Sequence, residues 1–355
     1  MNLHFFRNIV LYGMKKKKNQ RTFFDEDLKK AKLTKQGDPL LKLKDIEWEI
    51  FRSILEENTL KEDRGLGGRP PYDRVLLFKI TILQRFYNIS DDQIEYQIND
   101  RLSFMRFLGL ELCDDVPDAK TIWLFKENLT KAKVASQLFK IFYRVLDNMN
   151  LIAHEGSIID ASFVEVPKQR NNRDENKDIK DGKIPEEWEK DENSHKLCQK
   201  DTDARWTQKN KINYYGYKDH VKVDAKSKLI TKYEVTDASV HDSQKLDDLL
   251  DEDDANKRLH ADSAYVGQEE KLEAKKVVNE IHEKGYKNKP LTEEQKASNK
   301  LKSKTRVRVE HVFGFIENSM HGSTIKSIGK LRAEMNIGLM NLTYNIFRYS
   351  FLLRV

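Results

Sequence analysis

The stretch Ser157–Val166, SIIDASFVEV, sets an aspartate inside a run that is otherwise apolar, small or β-branched. The composition is that of a buried strand. An ionised carboxylate there costs several kcal/mol unless a cation meets it or it stands at the strand's edge. Asp160 therefore needs a partner. The same arrangement recurs in LHADSAY, where a short apolar strand delivers Asp262 just before small residues and a turn. Two strand-borne aspartates suggest one shared hard cation, and oxygen-only ligands suit Mg²⁺ or Mn²⁺. A third carboxylate is expected from elsewhere. Glu310 in TRVRVEHVFGF is the candidate, because Val309, Phe313 and Ile316 form a core-facing helical stripe that leaves Glu310 on its flank, with Arg306 one turn earlier. Taken singly, each acid reads more readily as a turn residue or as half of an exposed ion pair. Spacing alone does not find the site.

Outward from these residues, a chain of 355 residues can bury a sizeable core and suggests roughly two domains. Hydrophobic residues at 38% beside charged residues at 34% fit a soluble globular protein rather than a disordered or membrane-embedded one. The net charge of +6 is compatible with a polyanionic partner without requiring one. Cys113 and Cys198 lie far apart and form no CxxC, which specifies neither a disulfide framework nor a thiolate metal site, and suggests a reducing compartment. His220, His241 and His321 also lack the close spacing of zinc ligands. The start, MNLHFFRNIVLYGMKKKKNQ, is too short in apolar residues to span a bilayer and has no signal-peptide cleavage site, so no membrane association is expected. Met14 is an alternative start, with residues 1–13 then a read-through of upstream sequence.

The periodicities divide the chain. Residues 1–66 read as a basic arm with a short helix in DIEWEIFRSILEE, and GLGGRPPYDR supplies a turn before a helical block over 67–150. That block holds three helical patterns: YDRVLLFKITILQRFY, SDDQIEYQINDRLSFMRFLGL begun by Ser90, and DAKTIWLFKENLTKAKVASQLFKIFYRVLDNMN capped by Asp118. It is compatible with a helix-turn-helix and equally with a plain packing module. From 151 to 355 the period changes. SIIDASFVEV, YYGYKDHVKVD and LITKYEVTDA read as strands, with a hairpin turn at Asp224, Ser227 and Lys228, and KRLHADSAYVG as a fourth. Residues 168–211 carry almost no apolar run and are expected to be a long mobile insertion. QEEKLEAKKVVNEIHEKG reads as a polar helix, with His241 capping the turn after TDASV and two further helices closing the chain.

From Gly67 onward the chain resembles bacterial insertion-sequence transposases of the DDE type, in the group named after insertion sequence five. The resemblance rests on GRPPYDRVLLFKITILQRFY with its continuation, PDAKTIWLFKENL, IIDASFVEVP, VTDASVHDSQ, HADSAYVG and RVRVEHVFGFIE, in that order. It implies an α/β fold: a ribonuclease H-like mixed sheet flanked by helices over 151–355, preceded by an all-α, helix-turn-helix-like DNA-binding domain over 67–150. It further implies that Asp160, Asp262 and Glu310 are the catalytic residues and the ligands of two Mg²⁺ or Mn²⁺ ions, performing in-line phosphoryl transfer. The partner implied is double-stranded DNA, at terminal inverted repeats and at a target site, with a homo-oligomer on DNA and a cytoplasmic, nucleoid-associated location in a bacterium. The family's carboxyl-terminal signature adds a tyrosine, an arginine and a lysine; Arg306 matches, while Ser303 and Glu317 stand at the other two positions. Lys302, Lys304, Arg306 and Arg308 are candidate phosphate contacts, as are Lys211, Lys218 and Trp206 among interleaved aromatic residues. Two other readings stay open: a DNA-binding repressor derived from a transposase, and a nuclease that cuts without joining.

Overall fold

The structure is a computed structural model that describes residues 25–59 and 70–354. Most of the basic arm, the alternative start at Met14 and the GLGG turn lie outside the described residues.

Helices come first: α1 (Asp25–Gln36), α2 (Arg52–Asn58), α3 (Arg74–Tyr87), α4 (Asp91–Asp100), α5 (Leu102–Leu108), α6 (Ala119–Lys131) and α7 (Ala135–Asn148). Their ends follow capping chemistry. The Asp73 side chain accepts the Leu76 N–H at the start of α3, Ser90 accepts from Gln93 at α4, and Asp118 accepts from Thr121 at α6. Two expected single helices are each broken in two. Arg101 leaves the helical region (φ −106°, ψ 108°) between α4 and α5, and Lys133 at φ 54° turns the chain between α6 and α7.

The sheet follows: β1 (Gly156–Glu165), β2 (Arg205–Lys209), β3 (Ile212–Asp224), β4 (Ile230–Asp237), β5 (Arg258–Ala261) and β6 (Val278–Ile281). Strands β1, β3 and β4 are antiparallel neighbours and β2 pairs with the first residues of β3, whereas β5 runs parallel to β1 and β6 parallel to β5. The sheet is therefore mixed, in a mixed α/β protein. The hairpin turn forms as expected, with Asp224 Oδ1 accepting the Ser227 N–H at 2.7 Å and Lys228 at φ 62°. Strand β6 was not expected, because its residues fell within the polar helix read from QEEKLEAKKVVNEIHEKG. That helix stops after one and a half turns as α11 (Glu269–Ala274), Lys276 sits at φ 55°, and Val278–Ile281 pair with β5.

The charged insertion is not featureless. It carries the short helices α8 (Arg173–Lys180) and α9 (Ser194–Gln199), and between them Trp188 is fully buried with its indole N–H donated to Glu175 Oε1 at 2.7 Å. One tryptophan and Ile179 suffice for a local pocket in a segment too polar for a larger core.

After the small helix α10 (Leu246–Leu249) and α11, the chain closes with α12 (Glu293–Met320) and α13 (Lys330–Leu352). Helix α13 is buried on nearly every side, from Ala333 to Ser350, and acts as the molecule's spine. Its buried Asn345 both donates to the Ile230 carbonyl at 2.8 Å and accepts the Ile230 N–H at 2.9 Å, which pins the start of β4. The main hydrophobic cluster runs without interruption from Leu40 through α3 and α7 to Tyr349, and a smaller one lies on the other face of the sheet around Leu259 and Tyr265.

Candidate active site

Strand β1 alternates between those two clusters. Ile158 and Val164 belong to the main one, on the side of α12, while Ile159 belongs to the smaller one. Asp160 shares the face of Ile158 and so points toward α12, whose Val309, Val312 and Ile316 are buried against the same cluster. This answers why a strand in the core carries a charge: the carboxylate begins a partly exposed stretch of β1, Asp160 to Phe163, between the sheet and a basic helix.

The parallel register aligns the next residues. Gly156 pairs with Arg258 and Ile158 with His260, so continuing the ladder sets Asp160, midway along β1, beside Asp262, just past the carboxyl end of β5. Ala261 pairs with Ile281 on β6, and one residue further sets Asp262 beside His282. Asp262 caps the turn that follows, its Oδ1 accepting the Ala264 N–H at 2.8 Å.

Arg306 closes the arrangement from α12. Its Nη1 donates to Asp160 Oδ2 at 2.9 Å and its Nη2 to Glu310 Oε1 at 2.7 Å. Asp160 Oδ1 accepts its neighbour Ala161 N–H at 2.8 Å. Burial pushes the Asp160 carboxyl up to about 6; the N–H of Ala161, the Arg306 guanidinium and the Lys209 ammonium pull it down, and the Asp262 carboxylate adds to the rise. A carboxyl raised by burial despite a facing arginine would be relieved by further positive charge. The donor set thus fits a hard cation, which would supply it. Among the described residues, however, no three acids, histidines or cysteines close on one point as the side chains lie, since Arg306 stands between Asp160 and Glu310.

The other expected contacts divide. Lys302 lies at this end of the sheet, donating to the Ile281 carbonyl at 2.9 Å, and Lys304 is exposed on the same helix. Arg308 does not join them. Two residues on from Arg306, its side chain leaves on the far side of α12 and donates to the Ala225 carbonyl at 2.6 Å, bracing the β3–β4 turn. Lys218 is buried and held by the Val240 carbonyl and Asp242. Lys211 is exposed in the β2–β3 turn at φ 66°, and Trp206 is half exposed against the Tyr215 ring at 4.9 Å. One further lysine was read only among the interleaved lysines and aromatic residues of 206–218, and one histidine escaped the sequence reading. Lys209, on β2, is near enough to act on Asp160. His282 faces Ser303 Oγ across 3.3 Å, and burial with Arg306 and Lys302 holds its imidazole below the usual range. The β-branched pair before NEIH was the signal that a strand ends at His282.

The mixed sheet brings two aspartates to neighbouring positions on β1 and β5, faced by a basic helix bearing a glutamate, which makes an acidic site with oxygen donors. The chain belongs to the Transposase DDE domain family, which matches residues 152–346, more than half of its length. A second family, Transposase domain (DUF772), matches residues 28–128. The protein is thus a DNA transposase of the DDE class, a polynucleotidyl transferase. Among solved structures, the piggyBac transposase synaptic complex with hairpin DNA, determined by cryo-EM, is similar at a TM-score of 0.46 and 12% identity, over 89% of this chain and 76% of that one. No helix among the described residues is long and apolar enough to cross a membrane.

Proposed function

We propose that this transposase belongs with the insertion-sequence-five group, binds the terminal inverted repeats of its element, hydrolyses the phosphodiester at the element's ends and joins the freed 3′-hydroxyl to target DNA. The observation that carries the reading is the parallel register setting Asp160 beside Asp262, with Glu310 tied to Asp160 through Arg306. The six-stranded sheet, in which four antiparallel strands are continued by two parallel ones, supports a ribonuclease H-like core.

In this reading Asp160, Asp262 and Glu310 are the catalytic carboxylates. They would hold Mg²⁺ or Mn²⁺, two ions in the full complex, which when bound activate the attacking oxygen and stabilise the leaving one. The chain's own part is positional and electrostatic. Asp160 is fixed by the Ala161 N–H and Asp262 by the Ala264 N–H, so neither carboxylate must reorganise. Arg306 screens the acids from one another in the free protein and is placed to turn to a DNA phosphate once cations take over that task. Lys302, Lys304 and Lys209 surround the same end of the sheet and would hold flanking phosphates. Arg308 and Lys218 serve structure instead. Trp206 and Lys211 lie on the β2 hairpin, whose exposed edge is a second contact for the strand. The helices over 67–150 would read the repeat, as base-reading elements are small helices while a metal site sees only phosphate.

The test uses the full chain with DNA carrying one element end. Cleavage followed by joining should occur with Mg²⁺ or Mn²⁺ and fail with Ca²⁺, whose looser coordination misplaces the attacking oxygen. Asp160→Asn should abolish both steps while leaving end binding unchanged or slightly tighter, because one negative charge facing phosphate is gone. Metal-independent cutting, or a fully active Asp160→Asn, overturns the assignment. Cutting without joined products favours a nuclease.

A further inference from the structure

Away from the carboxylates, a cavity of about 380 Å³ opens at the seam between the first helices and the chain's end. Its walls include Gln84, Arg85, Trp123, Lys126, Lys326 and Arg332, from α3, α6, the segment before α13, and α13 itself. Arg85 is the anomaly. It is only 8% exposed, and its guanidinium meets one neutral acceptor, Asn88 Oδ1 at 3.1 Å, while its Nε is buried with no partner. No carboxylate pairs with it among the described residues, and burial alone pushes its pKa down to about 10. A buried, unpaired charge is strongly destabilising and is not retained for packing, which a methionine or leucine would do better. The adjacent Gln84 also has a buried, unpartnered Oε1, although its amide N–H₂ is held by Asp91.

The neighbouring charges deepen the imbalance. Lys126 is neutralised by Asp91 and Arg332 by Glu127, which leaves Arg85 and the exposed Lys326 as the cavity's cations without an ion-pair partner among the described residues. The volume lies toward the small end of ligand sites, which span about 300 to 1,000 Å³, and admits a phosphate group with its immediate substituents rather than a duplex. Trp123, about half exposed, stands at the rim.

We propose that this cavity is a phosphate-ester site, in which Arg85 and Lys326 grip a single phosphate of a DNA strand. The site is separate from the carboxylates and joins the two halves of the molecule through the ligand, since one wall belongs to α3 and another to α13. Planar guanidinium donors suit the phosphate oxygens, and the low-dielectric setting strengthens the contact. The proposal rests on the DNA-binding part of the reading above, not on its chemistry.

Arg85→Met and Arg85→Lys test it against the wild-type chain, with thermal midpoints measured in phosphate-free buffer, with inorganic phosphate, and with chloride at equal ionic strength. Phosphate should raise the midpoint of the wild type and of Arg85→Lys but not of Arg85→Met. In phosphate-free buffer Arg85→Met should melt higher than the wild type, because an unpaired buried charge is gone. The affinity for a single-stranded oligonucleotide, read by Trp123 fluorescence against a Trp123→Phe control, should fall about tenfold in Arg85→Met, the scale of one charged hydrogen-bonded contact. A phosphate response shared equally by Arg85→Met, or a lower midpoint with unchanged oligonucleotide affinity, would make Arg85 structural and overturn the site. A phosphate response lost in Arg85→Met without any change in DNA affinity would overturn the assignment to DNA in favour of a free nucleotide. Asp160→Asn should keep the phosphate response, so failure of cleavage and failure of this site are read separately.

Discussion

At the scale of single residues, the fate of a buried carboxyl depends on what faces it. Asp160 and Asp219 both lie in the sheet, and both are pushed up in pKa by burial, Asp160 to about 6 and Asp219 to about 7. Asp160 is opposed by Arg306, so Arg306→Gln should raise the Asp160 value above 6, a shift that carboxyl-resolved NMR titration of the metal-free protein would read. A value that stayed put would mean the guanidinium does not face it in solution. Among the described residues no cation pairs with Asp219; Asn341 donates to its Oδ1 at 3.0 Å, and its Oδ2 has no partner there. Its folded value lies above the ordinary one near 3.9, so its contribution to stability is fully present below about pH 4 and is lost as pH rises through about 7. Across that window the wild type should lose on the order of a few kcal/mol relative to Asp219→Asn, which has no proton to release. Parallel denaturation curves of the two proteins at pH 4.5 and pH 8 would refute this.

Helix α13 shows how one element carries constraints from several others. Its sequence is apolar enough to be recognised as a buried helix, yet Gly338 stands in its middle, where glycine costs about 1 kcal/mol against alanine. The reason is contact. A Cβ at Gly338 would lie 2.4 Å from the Tyr233 hydroxyl on β4 and 2.9 Å from the Ala135 Cβ on α7. Gly338→Ala should therefore destabilise the protein by about 1 to 3 kcal/mol despite its better helix propensity, by overpacking. A higher melting temperature for that variant would show that α13 has room to move.

For the whole molecule, the division into a helical half and a sheet half describes the order of elements rather than two independent cores. Phe86 of α3 stacks on Phe347 of α13 with centroids 3.8 Å apart, and Phe51 stacks on Phe142 of α7. One cluster holds Phe51, Phe142 and Phe347, and Phe86 packs against it. A chain lacking residues 25–130 would expose the inner face of α13 and should fail to fold cooperatively, with loss of the thermal transition followed by circular dichroism. If that fragment melted cooperatively, the shared core would be less essential than its burial implies. The proposed recognition of DNA ends is accordingly better tested by substituting exposed side chains on the first helices than by removing those helices.

The sequence by itself determined the local grammar of this protein: caps at Ser90 and Asp118, the Asp224–Lys228 turn, four strands by their β-branched alternation, and the odd placement of acids at Asp160 and Asp262. These depend on neighbours within a few residues, so they are written where they act. The motif resemblance singled out Glu310 and Arg306 as well, and the structure joins both to Asp160. What only the tertiary structure decided was pairing and direction. Register along β1, β5 and β6 aligned Asp160, Asp262 and His282 across long stretches of chain, the helical turn sent Arg308 away from Arg306, and β6 formed because β5 offered an unpaired edge. Arg85 looked like any surface cation until the packing of α3 against α13 buried it, because burial is a property of what arrives from elsewhere in the chain.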